Sequence, residues 1–312
     1  MRANSPSPLG EGRGEGRFRF AAILLSLLVS ACNWSERSIA PERMPRFEPL
    51  KTAPGVALVL GSGGPRGFAH IGVLKALDEA GVRPDLIVGS SVGAMVGALY
   101  AAGYDSHKLE DMAYGLNLFE FLEASMMWGG AASGRAVQAY IDKAVDGRPM
   151  ERLGTPFAAV ATRLSDRKLV VFNHGDTGLA ARASGASPGQ FKPVRIGNEL
   201  YVDGDEASPV PIHVARELGA KVVIAVDVSA YLDQTPPNVP QEWIDKDERR
   251  RRQIDAEAPQ ASVLIHPDLG YYAGHDESYR RRVIEIAEQA TREAMPRIAA
   301  ALASQGIVPA AR

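Results

Sequence analysis

Gly89-Ser90-Ser91-Val92-Gly93 is the stretch of this 312-residue chain best suited to covalent chemistry. The pattern G-x-S-x-G follows a short apolar run, Leu86-Ile87-Val88, and precedes residues that read as a helix. That layout sets the central serine on a sharp strand-to-helix bend with its hydroxyl exposed. Gly89 and Gly93 let the helix pass close to the strand and let the bend take unusual dihedrals. The positive end of the following helix favours negative charge beside the serine. Ser91 is therefore the candidate nucleophile, and Ser90 fills a position open to any small residue. An ordinary strand-helix turn would carry the same pentapeptide, so the serine's partners decide its meaning.

The first partner is a second strand-loop-helix unit upstream. Gly55-Val56-Ala57-Leu58-Val59-Leu60 reads as a buried strand, and Phe68 to Ala80 as a helix. Between them lies Gly61-Ser62-Gly63-Gly64-Pro65-Arg66-Gly67, whose backbone N–H groups suit an anion. A dinucleotide fingerprint beginning at Gly61 needs glycine where Arg66 stands, and a P-loop needs a Gly-Lys-Ser/Thr that is missing here. The remaining use is an oxyanion hole, in which backbone donors stabilise the charge that builds on a carbonyl oxygen during acyl transfer. Arg66 either orders this loop through neighbouring carbonyls or meets an anionic substrate.

A serine nucleophile also needs a base. The six histidines, His70, His107, His174, His213, His266 and His275, stand in no strong catalytic context. Tyr201-Val202-Asp203-Gly204-Asp205, after a strand-like run from Asn198, is the better candidate, although Asp-Gly is equally at home in a plain turn. Just upstream, Arg182 to Pro193 reads as a structured loop.

Taken in order, Gly64-Pro65-Arg66-Gly67, Gly89-Ser90-Ser91-Val92-Gly93 and Asp203-Gly204 resemble the patatin-like phospholipase family. The flanking text agrees: Gly67-Phe-Ala-His-Ile-Gly-Val-Leu-Lys-Ala-Leu, Gly93 to Gly103, Arg182-Ala-Ser, Pro188-Gly-x-Phe, and Val210-Pro-Ile-His-Val-Ala-Arg-Glu-Leu-Gly-Ala. The resemblance runs from about Pro54 to Ser229. It implies a three-layer α/β fold, a mostly parallel central sheet with helices on both faces. It implies a Ser-Asp dyad in which Asp203 takes the Ser91 proton directly, and an oxyanion loop formed by Gly63, Gly64, Pro65, Arg66 and Gly67. The implied substrates are membrane lipids or other lipid esters, phospholipids or lysophospholipids among them. The chain departs from the pattern at Ser62, where the family usually has glycine, at Pro65, where it has a small residue with an N–H, and at Asp205 after Gly204, where it has glycine or alanine. A non-catalytic lipid- or partner-binding envelope lipoprotein, and a general esterase or thioesterase, are the alternatives these departures keep open.

The elements that must hold these residues follow from pattern. Phe157 to Thr162, Lys168 to Phe172 and Val222 to Val228 read as strands, Pro209 to Leu218 as a helix, and the alternation implies parallel strands between helical layers. Leu116 to Trp128 reads as an apolar cap or a core helix. Glu248-Arg249-Arg250-Arg251-Arg252 reads as a solvated helix face with favourable i,i+4 pairs. Glu277 to Ser304 reads as a closing amphipathic helix with a break near Pro296.

Composition adds limits. The chain is 46% hydrophobic and 23% charged with a net charge of −2, which suits a globular domain and argues against a nucleic-acid partner. No motif asks for a cofactor or a metal. The front end stands apart. Arg17 and Arg19 precede an apolar run of 11 residues, Ala21 to Ala31, short of the ~20 a membrane span needs. With Val29-Ser30-Ala31-Cys32 it resembles a bacterial lipoprotein signal, in which Cys32, the one cysteine of the chain, receives the lipid. Asn33 is not the aspartate of inner-membrane retention, which favours the outer membrane. The expected organisation is a signal peptide at 1–31, a flexible tether at 32–53, the hydrolase domain at 54–304 and a disordered tail at 305–312. The domain is expected to face the periplasm on a lipid anchor.

Overall fold

The computed structural model describes residues 40–117 and 129–310. The signal-like segment, Cys32, and residues 118–128 of the expected apolar cap lie outside the described residues. One mixed sheet forms the centre. β1 (Val56–Leu60), β2 (Leu86–Ser90), β3 (Phe157–Arg163), β7 (Val222–Val226) and β8 (Val263–Ile265) run parallel. β4 (Leu169–Phe172), β5 (Val194–Ile196) and β6 (Glu199–Asp203) join by antiparallel pairing, β4 and β6 on β3 and β5 on β6. The strand order is β5-β6-β3-β2-β1-β7-β8, with β4 beside β3.

β1, β2 and β7 bury every residue, as a parallel sheet covered on both faces requires. The period of two divides their side chains between two cores. Ala57 and Val59, Leu86 and Val88, and Val223 and Ala225 face one way, toward α6 (Ile212–Glu217) and Ile254 of α7 (Gln241–Glu257). On the opposite face, α2 (Val92–Ala101) lies close over β2: a Cβ on Gly97 would come within 2.9 Å of Ile87. α1 (Ala69–Glu79), α3 (Ser106–Gly115), α4 (Arg135–Ala144), α5 (Thr177–Ser184) and α8 (Glu277–Ser304) complete the helices among the described residues. Asp105, Asp176 and Asp276 cap α3, α5 and α8 through side-chain oxygens that accept backbone N–H groups. The result is the α/β fold expected, with a central sheet flanked by helices.

Four details differ from the expectations. α8 runs unbroken through Pro296. Pro296 lies on the exposed side of the helix, while Ala294 and Ile298 on either side of it are buried and hold it in place. Residues 43–48, expected within the tether, are docked. Arg46 bridges His174, and Glu48 N–H donates to Asn173 Oδ1 at 2.8 Å. The segment's backbone partners are Asn173, His174 and Asp176, just past the end of β4. Past α8, Ile307 N–H donates to the Leu302 carbonyl and Ala310 N–H to the Gly81 carbonyl, both at 3.0 Å, so the segment through 310 is seated where a tail without order was expected. The run at 248–252 is not a wholly solvated face: Arg250 and Arg251 are 14% and 20% exposed and reach buried aspartates.

α1 and α8 cross with almost no clearance. A Cβ at Gly72 would stand 2.0 Å from the Ile284 carbonyl oxygen. Gly72→Ala is therefore expected to destabilise the fold by about 3 kcal/mol, because two backbones rather than a flexible side chain must move. Urea unfolding of the variant beside the parent chain checks this, and equal midpoints would refute it.

Candidate active site

The site grows out of β3. Ser90, the last residue of β2, pairs with Val160, and Asp203, the last residue of β6, pairs with Ala161. Two distant segments thus end at successive positions of one strand. Beyond Ser90 the chain turns sharply: Ser91 adopts φ 56°, ψ −124°, a left-handed-side conformation that costs a non-glycine residue on the order of 1–3 kcal/mol. Its amide donates to Ser184 Oγ at 2.9 Å, which helps to hold the bend. Gly93 makes the bend possible, since a Cβ there would lie 2.1 Å from the Leu60 carbonyl oxygen, and Gly89 sits equally close to Ala94. Ser90 is fully buried, in keeping with a small-residue position.

The bend aims Ser91 Oγ at Asp203, and the hydroxyl donates to Oδ2 at 2.9 Å. Asp203 is fixed on every side. Its N–H donates to the Ala186 carbonyl at 3.0 Å, its carbonyl accepts from Thr162 Oγ1 at 2.8 Å, and Oδ1 accepts the Asp205 N–H at 2.9 Å through the turn at Gly204. Burial, reinforced by the neighbouring Asp205 charge, pushes the Asp203 carboxyl up to about 7. A carboxylate at that value is a far better proton acceptor near neutrality than an ordinary aspartate. None of the six histidines hydrogen-bonds Ser91 among the described residues. His70 instead holds the glycine loop, with Nε2 2.8 Å from the Gly61 carbonyl. Burial lowers that ring to about 4, so it is neutral at pH 7 and Nε2 is the donor.

The glycine loop leaves β1 tied at Gly61, whose N–H donates to Val226, and at Ser62, whose N–H donates to Pro209. The five residues nominated as an oxyanion loop then separate. Pro65 has no N–H, the Arg66 N–H is spent on the Gly63 carbonyl at 3.2 Å, and Gly67 packs against Val92. The Gly63 and Gly64 N–H groups have no acceptor among the described residues, and both residues line the cavity that holds Ser91 and Asp203. The Arg66 side chain takes the first of its two expected roles, donating to the carbonyls of Gly270 and Tyr271.

That cavity has a volume of about 480 Å³. Ser91, Asp203, Asp205, Lys246 and Arg250 line it together with apolar side chains, among them Ile71, Met95, Leu99, Leu109 and Val137. Such a lining suits a molecule that carries both a polar group and apolar surface. Among the described residues no group of three or more potential ligands could hold a metal ion, and no helix is long and apolar enough to cross a membrane.

Arg250, Lys246 and Ser184 escaped the sequence reading. Asp205, a departure from the pattern already in sequence, is buried rather than turned to solvent, and it accepts from Ser62 Oγ. Arg250 grips it with Nε and Nη2 at 2.8 and 2.7 Å, and Lys246 Nζ stands 3.7 Å away. Burial acts to raise this carboxyl, but Arg250, Lys246 and Ser62 outweigh it and hold Asp205 at about 2. Nothing in a local pattern links Arg250 to Asp205. The usable signal was that the run at 248–252 carries more arginine than an exposed helix needs. Ser184 was visible only as part of Arg182-Ala-Ser, which forms the last turn of α5 rather than a loop.

The family model for patatin-like phospholipases matches residues 58–216, half of the chain. An uncharacterised NTE family protein of Mycobacterium tuberculosis is 35% identical over 205 residues, 62% of this chain and 56% of that protein. Human patatin-like phospholipase domain-containing protein 6 is 34% identical over 215 residues, 65% of this chain and 15% of that protein. The chain thus spans about half the length of the mycobacterial relative and a small part of the human one. The crystal structure of VipD from Legionella pneumophila shares the fold, with a TM-score of 0.54 at 13% identity over 87% of this chain and 73% of VipD.

The raised Asp203 carboxyl has a stability consequence. Ionising it is harder in the fold than in the unfolded chain, so the stabilisation it gives is complete below about pH 4 and is lost as pH rises through about 7. Asp203→Asn removes that ionisation. It is expected to be more stable than the parent chain above pH 8, by roughly 1 kcal/mol or more, with the gap closing toward pH 4. Thermal unfolding across that range measures the gap, and a gap independent of pH would contradict the assignment.

Proposed function

Because the chain belongs to the patatin-like phospholipase family, we propose that it is a serine acyl hydrolase cleaving carboxylic ester bonds of phospholipids or lysophospholipids. The observation that carries this reading is the 2.9 Å hydrogen bond from Ser91 Oγ to a buried, weakly acidic Asp203, inside a cavity where two backbone donors are unengaged. Ser91 Oγ attacks the ester carbonyl carbon as its proton passes to Asp203. The Gly63 and Gly64 N–H groups receive the oxyanion. The tetrahedral intermediate collapses, the C–O bond to the alcohol breaks, and Asp203 returns the proton to the departing alkoxide. Asp203 next takes a proton from water as the water oxygen attacks the acyl-serine carbonyl, and the second collapse breaks the bond to Ser91 Oγ, which takes the proton back from Asp203 as the fatty acid leaves. The acyl chain lies along Met95, Leu99 and Leu109. We also propose that the enzyme works at a bacterial envelope, facing the periplasm on a lipid anchor at Cys32.

The first test is intact mass after a fluorophosphonate ester is added to the chain from Ser35 onward. One adduct on the parent and none on Ser91→Ala supports an activated serine. No adduct on the parent, beside a control hydrolase that labels, points instead to a lipid- or partner-binding protein. Asp203→Asn is expected to lower hydrolysis of phospholipid vesicles by about a thousandfold with Ser91 still present. Parent-like activity in that variant would remove Asp203 from the mechanism. Activity on short-chain esters without activity on vesicles would replace the phospholipase reading by a general esterase.

For the anchor, the full chain expressed in a bacterium is expected to fractionate with membranes, and Cys32→Ser is expected to leave them. Membrane association that survives the substitution would refute the lipid anchor.

A further inference from the structure

Ser62 and Asp205, two residues at which this chain departs from the family resemblance, bond to each other across the site. Each sits next to a working part. Ser62 immediately precedes Gly63 and Gly64, whose N–H groups are unengaged, and the Asp205 N–H donates to the base Asp203. Asp205 is 8% exposed, and a buried carboxylate persists only where it is paired and hydrogen-bonded. Arg250 meets that need with a two-pronged grip, the geometry in which a guanidinium holds a carboxylate most firmly. Arg250 in turn is steadied by Asp247 at 3.0 Å.

We propose that Ser62, Asp205 and Arg250 form one positioning strut, which holds the Gly63 and Gly64 donors in register with the Ser91–Asp203 pair. The proposal rests on the hydrolase reading above and adds to it a set of residues that never touch the reacting atoms. A continuous path of hydrogen bonds runs from the glycine loop through Ser62 Oγ, the Asp205 carboxylate and the Asp205 N–H to Asp203 and on to Ser91. Among the described residues, the other hydrogen bonds that tie this loop to the body are the backbone bonds at Gly61 and Ser62, that of His70 and those of the Arg66 side chain, beside the packing of Gly67 on Val92. An oxyanion donor must sit within a few tenths of an ångström of its place to act, so loosening this path reaches the chemistry. The charge on Asp205 reaches it too. The groups that act on Asp203 are Ser91 at the bend, Asp205 on its own turn, and Lys246 and Arg250 on α7, and Ser62 reaches it only through Asp205.

The test uses the full chain and follows fluorophosphonate labelling and ester hydrolysis from pH 5 to 9. Ser62→Ala removes the tether and leaves the charges, so kcat and the labelling rate are expected to fall about tenfold with KM and the acidic limb of the profile unmoved. Ser62→Thr keeps the hydroxyl and is expected to recover the rate to within about twofold of the parent. Asp205→Asn can still accept from Ser62 but loses the charge, so its acidic limb is expected to move down by about one pH unit. Ser62→Ala combined with Asp205→Ala is expected to be no slower than the slower single variant, because one strut can be cut only once. Parent-like rates and profile in Ser62→Ala, or losses that multiply in the double variant, would overturn the strut. If the Asp205 variants do not fold, as judged by circular dichroism, Ser62→Ala and its rescue by Ser62→Thr decide the matter alone. A parent chain that takes no adduct sinks the hydrolase reading, whereas a parent that labels beside an indifferent Ser62→Ala sinks only the strut.

Discussion

The left-handed bend at Ser91 is the constraint on which the rest of the site depends. A serine at φ 56° is unfavourable by itself, and the surrounding fold must over-determine it. β2 enters the bend with its Ser90 pinned at Val160, Ser184 catches the Ser91 amide from α5, and α2 leaves with Gly93 pressed on the end of β1. Relaxing the bend would turn Oγ away from Asp203. The same strand that fixes the bend also fixes its partner, because β6 pairs with β3 at the next register position. Side-chain geometry at the site is thus inherited from backbone pairing, the most rigid material available.

A second layer of organisation is electrostatic. Two carboxylates separated by one glycine are driven in opposite directions: Asp203 toward neutrality by burial and its neighbour, Asp205 toward permanent ionisation by Arg250 and Lys246. Such a split assigns roles, since only a group that titrates near the working pH can take a proton and give it back. Asp205 cannot exchange protons under those conditions, and its charge is one reason that Asp203 can. The pairing with Arg250 keeps the extra carboxylate from being an uncompensated burial.

Where the chemistry is local, the sequence was legible. G-x-S-x-G, the glycine loop and Asp-Gly each announce a backbone shape through glycine, and the apolar runs at Val56–Leu60, Leu86–Ser90 and Val222–Val226 announce buried parallel strands. The break expected at Pro296 failed because the proline stands on the exposed side of a 28-residue helix whose buried face, from Tyr279 to Leu302, is held on both sides of it and outweighs the cost of the proline. The docked segment at 43–48 was illegible because its partners, His174, Asn173 and Asp176, lie more than a hundred residues along the chain and no local pattern links them. Arg250 was misread for a different reason. Four consecutive arginines look alike in sequence, and only the turn of α7 separates those that meet buried aspartates from the one paired with Glu248 at the surface.

α7 shows why that misreading has substance. A helix normally seats itself through an apolar stripe, yet this one buries only Ile254 among its described residues. Its other attachments are polar: Arg250 to Asp205 beyond the end of β6, Arg251 to Asp227 beyond the end of β7, Gln253 to the carbonyls of Glu206 and Ala207, and Glu257 to Ser208 and His213. These two aspartates flank the glycine loop, whose first residue bonds to Val226 and whose second bonds to Asp205. An apolar stripe would have held α7 against the sheet, but it would have placed no charge beside the base and no acceptor beside Ser62. The Arg250–Asp205 pair thus does two things at once: it helps to fasten α7, and it fixes the charge that stands beside Asp203.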